Sequence, residues 1–326
     1  MRTATQPAQA RAQATLPCFA PAPAIGRPDP DAEAVRKRAG VEYFELAIRD
    51  ILNRCDSPRM PFAWTINPYR GCEFACTYCY ARYTHGFFDL DRWEDFETKI
   101  FIKQAAAETL ERRLRKAALH GEAIAIGTAT DPYQPAERHH GVTRSLLEVF
   151  ARVEGLQISI TTKSPLITRD LDLLADLDRK HAITVHMTVT TADAALARRL
   201  EPHAPDARAR LRTVSKLAAA GIATRVNCMP ILPGINDGED QLRPLMEAVR
   251  DAGAYTISGS ALFLRGAAKA RFLPWLAEEF PRLVPRYNKL YGKRDYLGEK
   301  ETQELLSTFR RLKLEYGFPR ATAGRG

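Results

Sequence analysis

Long apolar runs are missing from this chain of 326 residues. No stretch is long enough to span a bilayer, and the N-terminus carries no apolar signal segment, so membrane insertion and secretion are not expected. Cysteine is also scarce, at six residues. That excludes a disulfide scaffold, because such frameworks crowd many cysteines into small secreted domains. The cysteines therefore read as reduced thiols, and the expected location is cytoplasmic. Residues 1–35 lack apolar periodicity and are rich in Ala, Pro, Gln and Arg. A disordered leader is expected there, with an organelle transit peptide as the weaker alternative.

What is present is enough for a large core. Hydrophobic residues make up 45% of the chain, which allows one large α/β domain or a barrel with extensions. The formal charge is +9, and it is unevenly placed. Residues 265–326 hold 14 Lys and Arg against 7 Asp and Glu, a surplus of 7. The surplus points to a polyanionic partner such as nucleic acid; the competing reading is an ordinary solvated helical surface. Phe272, Trp275, Tyr287, Tyr291 and Tyr296 interleave this basic region. Their near-helical spacing is expected to fill a core rather than to stack bases.

Three of the cysteines, Cys72, Cys76 and Cys79, fall within one short run, Asn67 to Tyr80. That spacing delivers three thiolates to one metal centre. A cubane iron–sulfur cluster has four irons, so three cysteines with no fourth following leave one iron open for chemistry. The competing reading is a closed zinc site of the three thiolates with His85. Zinc sites more often bring their cysteines in two separated pairs, and Cys55 and Cys228 supply no second pair. Cys18 and Cys55 receive no role. His139 and His140, in a polar stretch before Gly141, are expected to be exposed and are weak ligand candidates.

Along the chain, Val41 to Leu52 has its apolar residues on a helical period and is expected to be a helix. Trp64 to Asn67 is expected to be a short strand leading into the cysteine run. From there strands alternate with helices. Helices are expected over Lys103–Leu119, Arg144–Arg152, Thr168–Leu177, Pro205–Ala220 and Glu239–Ala252. Strands are expected over Ala123–Gly127, Gln157–Thr161, Ala182–Val189, Ile222–Met229 and Tyr255–Ser258. The alternation predicts right-handed βαβ units and a parallel sheet of six repeats. An open doubly wound sheet and a curved partial barrel fit this count equally well. In both, ligands bind at the carboxyl ends of the strands, so the segments just after each strand are the candidates for the site.

The motif Cys-x3-Cys-x2-Cys, with an aromatic residue just before the third cysteine and the first strand of a βα repeat ahead of it, resembles the radical SAM superfamily. The fuller set, Cys-x-Tyr-Cys-Tyr, then Gly-Thr-x-Thr-Asp-Pro, Thr-Lys-Ser and Glu-Pro-x7-Arg, is similar to its spore photoproduct lyase-like branch. The resemblance covers roughly residues 60–260. It implies a six-strand partial (β/α) barrel over 61–260, flanked by a helical N-terminal extension at 36–60 and a basic helical extension at 261–326. It also implies a [4Fe-4S] cluster on Cys72, Cys76 and Cys79 whose open iron takes S-adenosylmethionine. Reductive cleavage would then release a 5′-deoxyadenosyl radical that abstracts a substrate hydrogen.

The resemblance also assigns residues. Thr128, Thr130 and Asp131 follow the second strand, where the superfamily binds the methionine amino end. Lys163 matches a lysine for the methionine carboxylate, and Thr188 lies near a serine that meets the nucleoside. Tyr78 and Tyr80 match two tyrosines implicated in hydrogen-atom relay, with adenine packing as the other role for Tyr78. Thr128 stands where the lyase has a hydrogen-donating cysteine, a role that a threonine O–H bond is too strong to fill. Cys228 is a candidate displaced donor, against the plainer role of a small buried hydrophobe.

The expected function is therefore a radical SAM enzyme acting on a substrate such as nucleic acid, with an electron donor of the flavodoxin or ferredoxin kind. The alternatives are radical modification of a peptide or small metabolite, and a non-catalytic zinc or iron–sulfur nucleic-acid-binding module.

Overall fold

The computed structural model describes residues 33–319 apart from 39, 58, 59, 117, 118 and 120. The expected leader lies outside the described residues up to position 32, and so does Cys18. Among the described residues, eleven strands occur in chain order: β1 (Arg36–Arg38), β2 (Val41–Leu46), β3 (Leu52–Arg54), β4 (Trp64–Ile66), β5 (Tyr69–Arg70), β6 (Lys99–Lys103), β7 (Ala123–Ile126), β8 (Gln157–Thr162), β9 (Ala182–Thr188), β10 (Thr224–Ile231) and β11 (Thr256–Ala261).

The larger sheet runs β11-β10-β9-β8-β7-β4-β3. Its six strands from β4 to β11 are parallel, and β3 closes the edge antiparallel on β4. Parallel neighbours follow one another in chain order. A doubly wound sheet reverses its order at a switch point, and none occurs here. The architecture is therefore the partial barrel, with β3 and β11 as its edges.

Along β8 and β9 buried apolar residues alternate with part-exposed ones, so one face of each strand is fully covered. Ile124, Ile126, Ile158, Ile160, Val185, Met187, Val226 and Ile257 are all buried in one core. Helices Ala106–Lys116, Val142–Phe150, Leu171–Asp178, Ala207–Ala219 and Glu239–Asp251 follow the strands. The last buries Leu242, Leu245, Met246 and Val249, the three- and four-residue steps of one helix face. Asp206 caps Ala207–Ala219 by accepting the Ala209 amide at 2.7 Å, which satisfies one of the free donors at its start.

The helix expected over Val41–Leu52 is not present, and the extension at 36–60 is built of strands. β2 pairs in parallel with β6, and β1-β2-β6-β5 form a second, four-stranded sheet. The run Val-Glu-Tyr-Phe-Glu-Leu is rich in residues that fit a pleated surface, and the Lys99–Lys103 strand beside it gives that surface a partner. Tyr43 and Leu46, which match a helix face in spacing, are buried by the sheet instead. His139 and His140 end a short helix, Glu137–His140, with His139 exposed and His140 half-buried.

After β11 the chain forms helices Ala267–Glu279, Val284–Tyr291, Glu299–Leu305 and Ser307–Glu315. Phe272, Trp275, Tyr287 and Tyr291 are buried, in a cluster shared with Cys72, Phe74, Cys76 and Tyr78. Tyr296 differs, with 44% of its surface exposed. No described helix is long and apolar enough to cross a membrane.

Candidate active site

β5 ends at Arg70, and the cysteine loop begins with Gly71 at φ +86°. A Cβ there would lie 2.7 Å from the Lys99 carbonyl oxygen, so both the left-handed backbone and the close approach require glycine. The loop is then tied from several sides. The Cys72 amide donates to Phe96 O at 2.9 Å, and the Thr77 amide to Leu200 O at 2.9 Å. Thr130 Oγ1 donates to Gly71 O at 2.6 Å, and Gln134 Nε2 donates to the same oxygen at 3.1 Å. Gln134 Oε1 accepts the Glu73 amide at 3.0 Å. The Glu73 carboxylate in turn accepts Tyr43 OH and the Ala136 amide, each at 2.8 Å. Arg82, 1% exposed, donates to Cys76 O at 2.7 Å and pairs with Glu97. Such a frame holds ligands in place before a metal arrives.

Cys72, Cys76 and Cys79 are free thiols, the first two buried and the third half-buried. Burial pushes Cys76 up to about 12, with the Lys163 ammonium opposing the shift. Burial raises Cys72 as well, against a hydrogen bond from the Phe74 backbone. A thiolate at these positions needs strong adjacent positive charge, which the irons of a cluster provide. His85, the fourth ligand of the zinc reading, is fully buried with Nε2 3.0 Å from Lys99 O and its ring against Phe96 and Phe101. The donor set fits an iron–sulfur cluster.

The segments after β7 and β8 meet beside this loop. Asp131 accepts Thr162 Oγ1 at 2.7 Å, the Lys163 amide at 2.7 Å and the Tyr133 amide at 2.9 Å. Its carboxylate thus joins two strand ends, and Thr130 is likewise committed to Gly71. Thr128 Oγ1 accepts from Asn67 Nδ2 at 3.1 Å, and its carbonyl accepts the Tyr80 hydroxyl. Lys163 Nζ lies 5.6 Å from the centre of the Tyr78 ring. Burial alone would lower this ammonium, but the charges of Cys76 and Glu201 carry it above its ordinary value. Thr188 is buried, and its carbonyl accepts Arg210 Nη1 at 3.1 Å.

Tyr78 is buried with its hydroxyl donating to Glu201 and 3.0 Å from Thr190 Oγ1. Glu201 also accepts Thr190 Oγ1 at 2.9 Å and pairs with Arg210 at 2.5 Å. Burial would raise the Glu201 carboxyl, but Arg210 and Lys163 hold it below the ordinary range. Cys228 lies on the same layer, wholly buried, its thiol donating to Thr190 O at 3.5 Å.

Residues 66–243, over half of the chain, match the Radical SAM superfamily. The chain belongs to the radical SAM superfamily. An uncharacterized protein of Mycobacterium tuberculosis is 35% identical over 259 residues, 79% of this chain and 76% of that protein. One of Methanocaldococcus jannaschii is 28% identical over 61% of this chain and 71% of its own. Among solved structures, spore photoproduct lyase complexed with dinucleoside spore photoproduct has a TM-score of 0.62 at 16% identity, covering 84% of this chain and 79% of that one. That likeness is one of fold.

This radical SAM enzyme therefore uses a [4Fe-4S] cluster and S-adenosylmethionine. Its motif Glu-Pro-x7-Arg supplies Glu201 and Arg210, to which the sequence reading gave no role. The motif was visible, but their partners Tyr78 and Thr190 come from other parts of the chain. Gln134 and Glu73, which brace the loop, carried no sequence signal beyond their place near strand ends.

Proposed function

We propose that the enzyme acts on nucleic acid, with Cys72, Cys76 and Cys79 holding the cluster and Lys163 meeting the carboxylate of S-adenosylmethionine. Bound there, the cofactors supply an electron and a 5′-deoxyadenosyl group for hydrogen abstraction. The chain's own task is to position and to exclude water. Tyr78, with its hydroxyl spent on Glu201 and Thr190, is a positioning residue under the loop. Its buried ring presents a face to Lys163. Tyr80, bonded to the Thr128 carbonyl, links the loop to the end of β7. Thr128, Thr130 and Asp131 shape the cofactor side of that loop through their bonds to protein. Thr188 does the same at the end of β9. Cys228, buried and bonded to Thr190 O, is a packing residue.

The observation that carries the nucleic-acid reading is the placement of the basic C-terminal segment. The helices Ala267–Glu279 and Val284–Tyr291 bury Trp275, Tyr287 and Tyr291 in the same cluster as Cys72 and Cys76, so the 8 Lys and Arg of residues 265–298, against 3 Asp and Glu, sit beside the cysteine loop. The fold neighbour complexed with a dinucleoside supports the same substrate class. Titrating the reconstituted protein into labelled DNA and RNA at several salt concentrations tests it. Affinity that falls steeply as salt rises is expected, since phosphate contacts release counterions. Absence of binding at low salt would contradict the reading.

A further inference from the structure

Three aromatic rings lead from the cysteine loop to the surface. Tyr80, directly after Cys79, lies 6.2 Å from Phe263 between ring centres, and Phe263 stacks on Tyr296 at 4.3 Å and 23°. Phe263 follows β11 at the carboxyl end of the parallel strands, the side on which sites of this architecture open. The irregular segment carrying Tyr296 is pinned there. The Leu264 amide donates to Asp295 O at 3.0 Å, Lys269 Nζ donates to Arg294 O at 2.9 Å, and Arg265 and Lys269 both pair with Asp295. An exposed ring backed by a second ring on a fixed segment is a stacking surface held ready.

A cationic row runs along the neighbouring helix. Val284–Tyr291 turns Tyr287 and Tyr291 inward. Arg286 and Lys289, exposed and three residues apart in this helix, share one face, and the exposed Arg282 and Lys293 flank it in the turn before and the bend after. None of the four forms an ion pair among the described residues, whereas nearby Arg294 pairs with Glu301 and Arg271 with Glu97. Arg286 also reaches the loop after β10: a Cβ on Gly234 would lie 2.9 Å from its Nη1. The row therefore starts on the same carboxyl-end rim as the aromatic pair.

We propose that this rim binds a single-stranded or locally unpaired nucleic acid, with one base stacked on Tyr296 and Phe263 and the phosphates lying along Arg286, Lys289 and Lys293. The inference rests on the nucleic-acid reading above. A free base face is needed for stacking on an aromatic ring, whereas a closed duplex offers mainly its phosphates. The rim thus distinguishes the two forms.

The test is fluorescence anisotropy with a labelled single strand and its duplex, at two salt concentrations, on the cluster-loaded protein. The variants are Tyr296→Ala, Tyr296→Phe and Lys289→Glu/Lys293→Glu, with circular dichroism to report folding. Wild type is expected to prefer the single strand. Tyr296→Ala should weaken single-strand binding about tenfold or more, with a smaller effect on the duplex and little change in salt slope. Tyr296→Phe should keep wild-type affinity. The charge reversal should weaken both forms and flatten the salt slope by about one for each lost contact. Wild-type binding that Tyr296→Ala and the charge reversal leave unchanged overturns this proposal alone. A wild type that binds neither form overturns the nucleic-acid reading together with it.

Discussion

The Glu201 carboxylate and the Arg210 guanidinium meet at 2.5 Å with their side chains 1% and 2% exposed. Arg210 also donates to Pro205 O at 2.7 Å and Thr188 O at 3.1 Å, and Glu201 takes the hydroxyls of Tyr78 and Thr190. The pair thereby connects the cysteine loop to the end of β9. A buried charge of this kind is tolerable only while both partners are present.

Removing one partner should therefore harm more than removing both. Glu201→Ala is expected to lower stability by about 3–5 kcal/mol. Glu201→Ala combined with Arg210→Met should recover part of that loss. Urea unfolding of the single and double variants measures it, and a double variant at least as unstable as the sum of the single changes would count against the pair as a buried unit.

Gly71→Ala should damage cluster loading more than folding. The substitution strains a left-handed backbone by about 1–3 kcal/mol and drives a methyl group onto Lys99 O. Iron and sulfide per protein after anaerobic reconstitution should fall well below wild type, while the circular dichroism spectrum stays close to it. Full loading would show that the close approach at Gly71 is dispensable.

Lys163→Ala should weaken binding of S-adenosylmethionine by about tenfold to a hundredfold, the range for losing a charged hydrogen bond. Isothermal titration of the loaded protein reads this directly. Lys163→Ala with undiminished affinity would remove the lysine from the cofactor site.

Lys103 makes stability depend on pH. Burial, with Arg70 nearby, lowers its ammonium from 10.5 to about 7. Between these values the unfolded chain binds more protons than the folded one, so stability should rise as the pH climbs from about 7 towards 10.5 and level off beyond. The slope contributed is about 1.4 kcal/mol per pH unit. Lys103→Met should raise stability at neutral pH and flatten this rise. An equal gain at neutral and alkaline pH would contradict the assignment.

The cysteine loop was readable from sequence because its ligands are local, three residues within one turn-rich segment. The six parallel strands were readable for a similar reason, since each alternates with a helix of its own period. Partial barrel and doubly wound sheet were indistinguishable at that level, because strand order is a matter of long-range pairing. The same non-locality hid the small second sheet: Val41–Leu46 becomes a strand only because Lys99–Lys103 pairs with it. Thr130 and Asp131 were recognisable as polar residues after a strand. Their commitment to Gly71 and to the Thr162–Lys163 segment depends on which loops the barrel brings together. Helical spacing groups Tyr296 with the core aromatics, but it lies in the irregular segment pinned at Asp295, past the end of the Val284–Tyr291 helix, and so comes to the surface.

Anaerobic reconstitution of wild type and Cys76→Ala, followed by assay of 5′-deoxyadenosine from S-adenosylmethionine under reduction, tests the central claim most directly. Wild type should bind iron and sulfide and release the nucleoside, and Cys76→Ala should fold but release none. Zinc in place of iron and sulfide, or nucleoside release that survives Cys76→Ala, would contradict it.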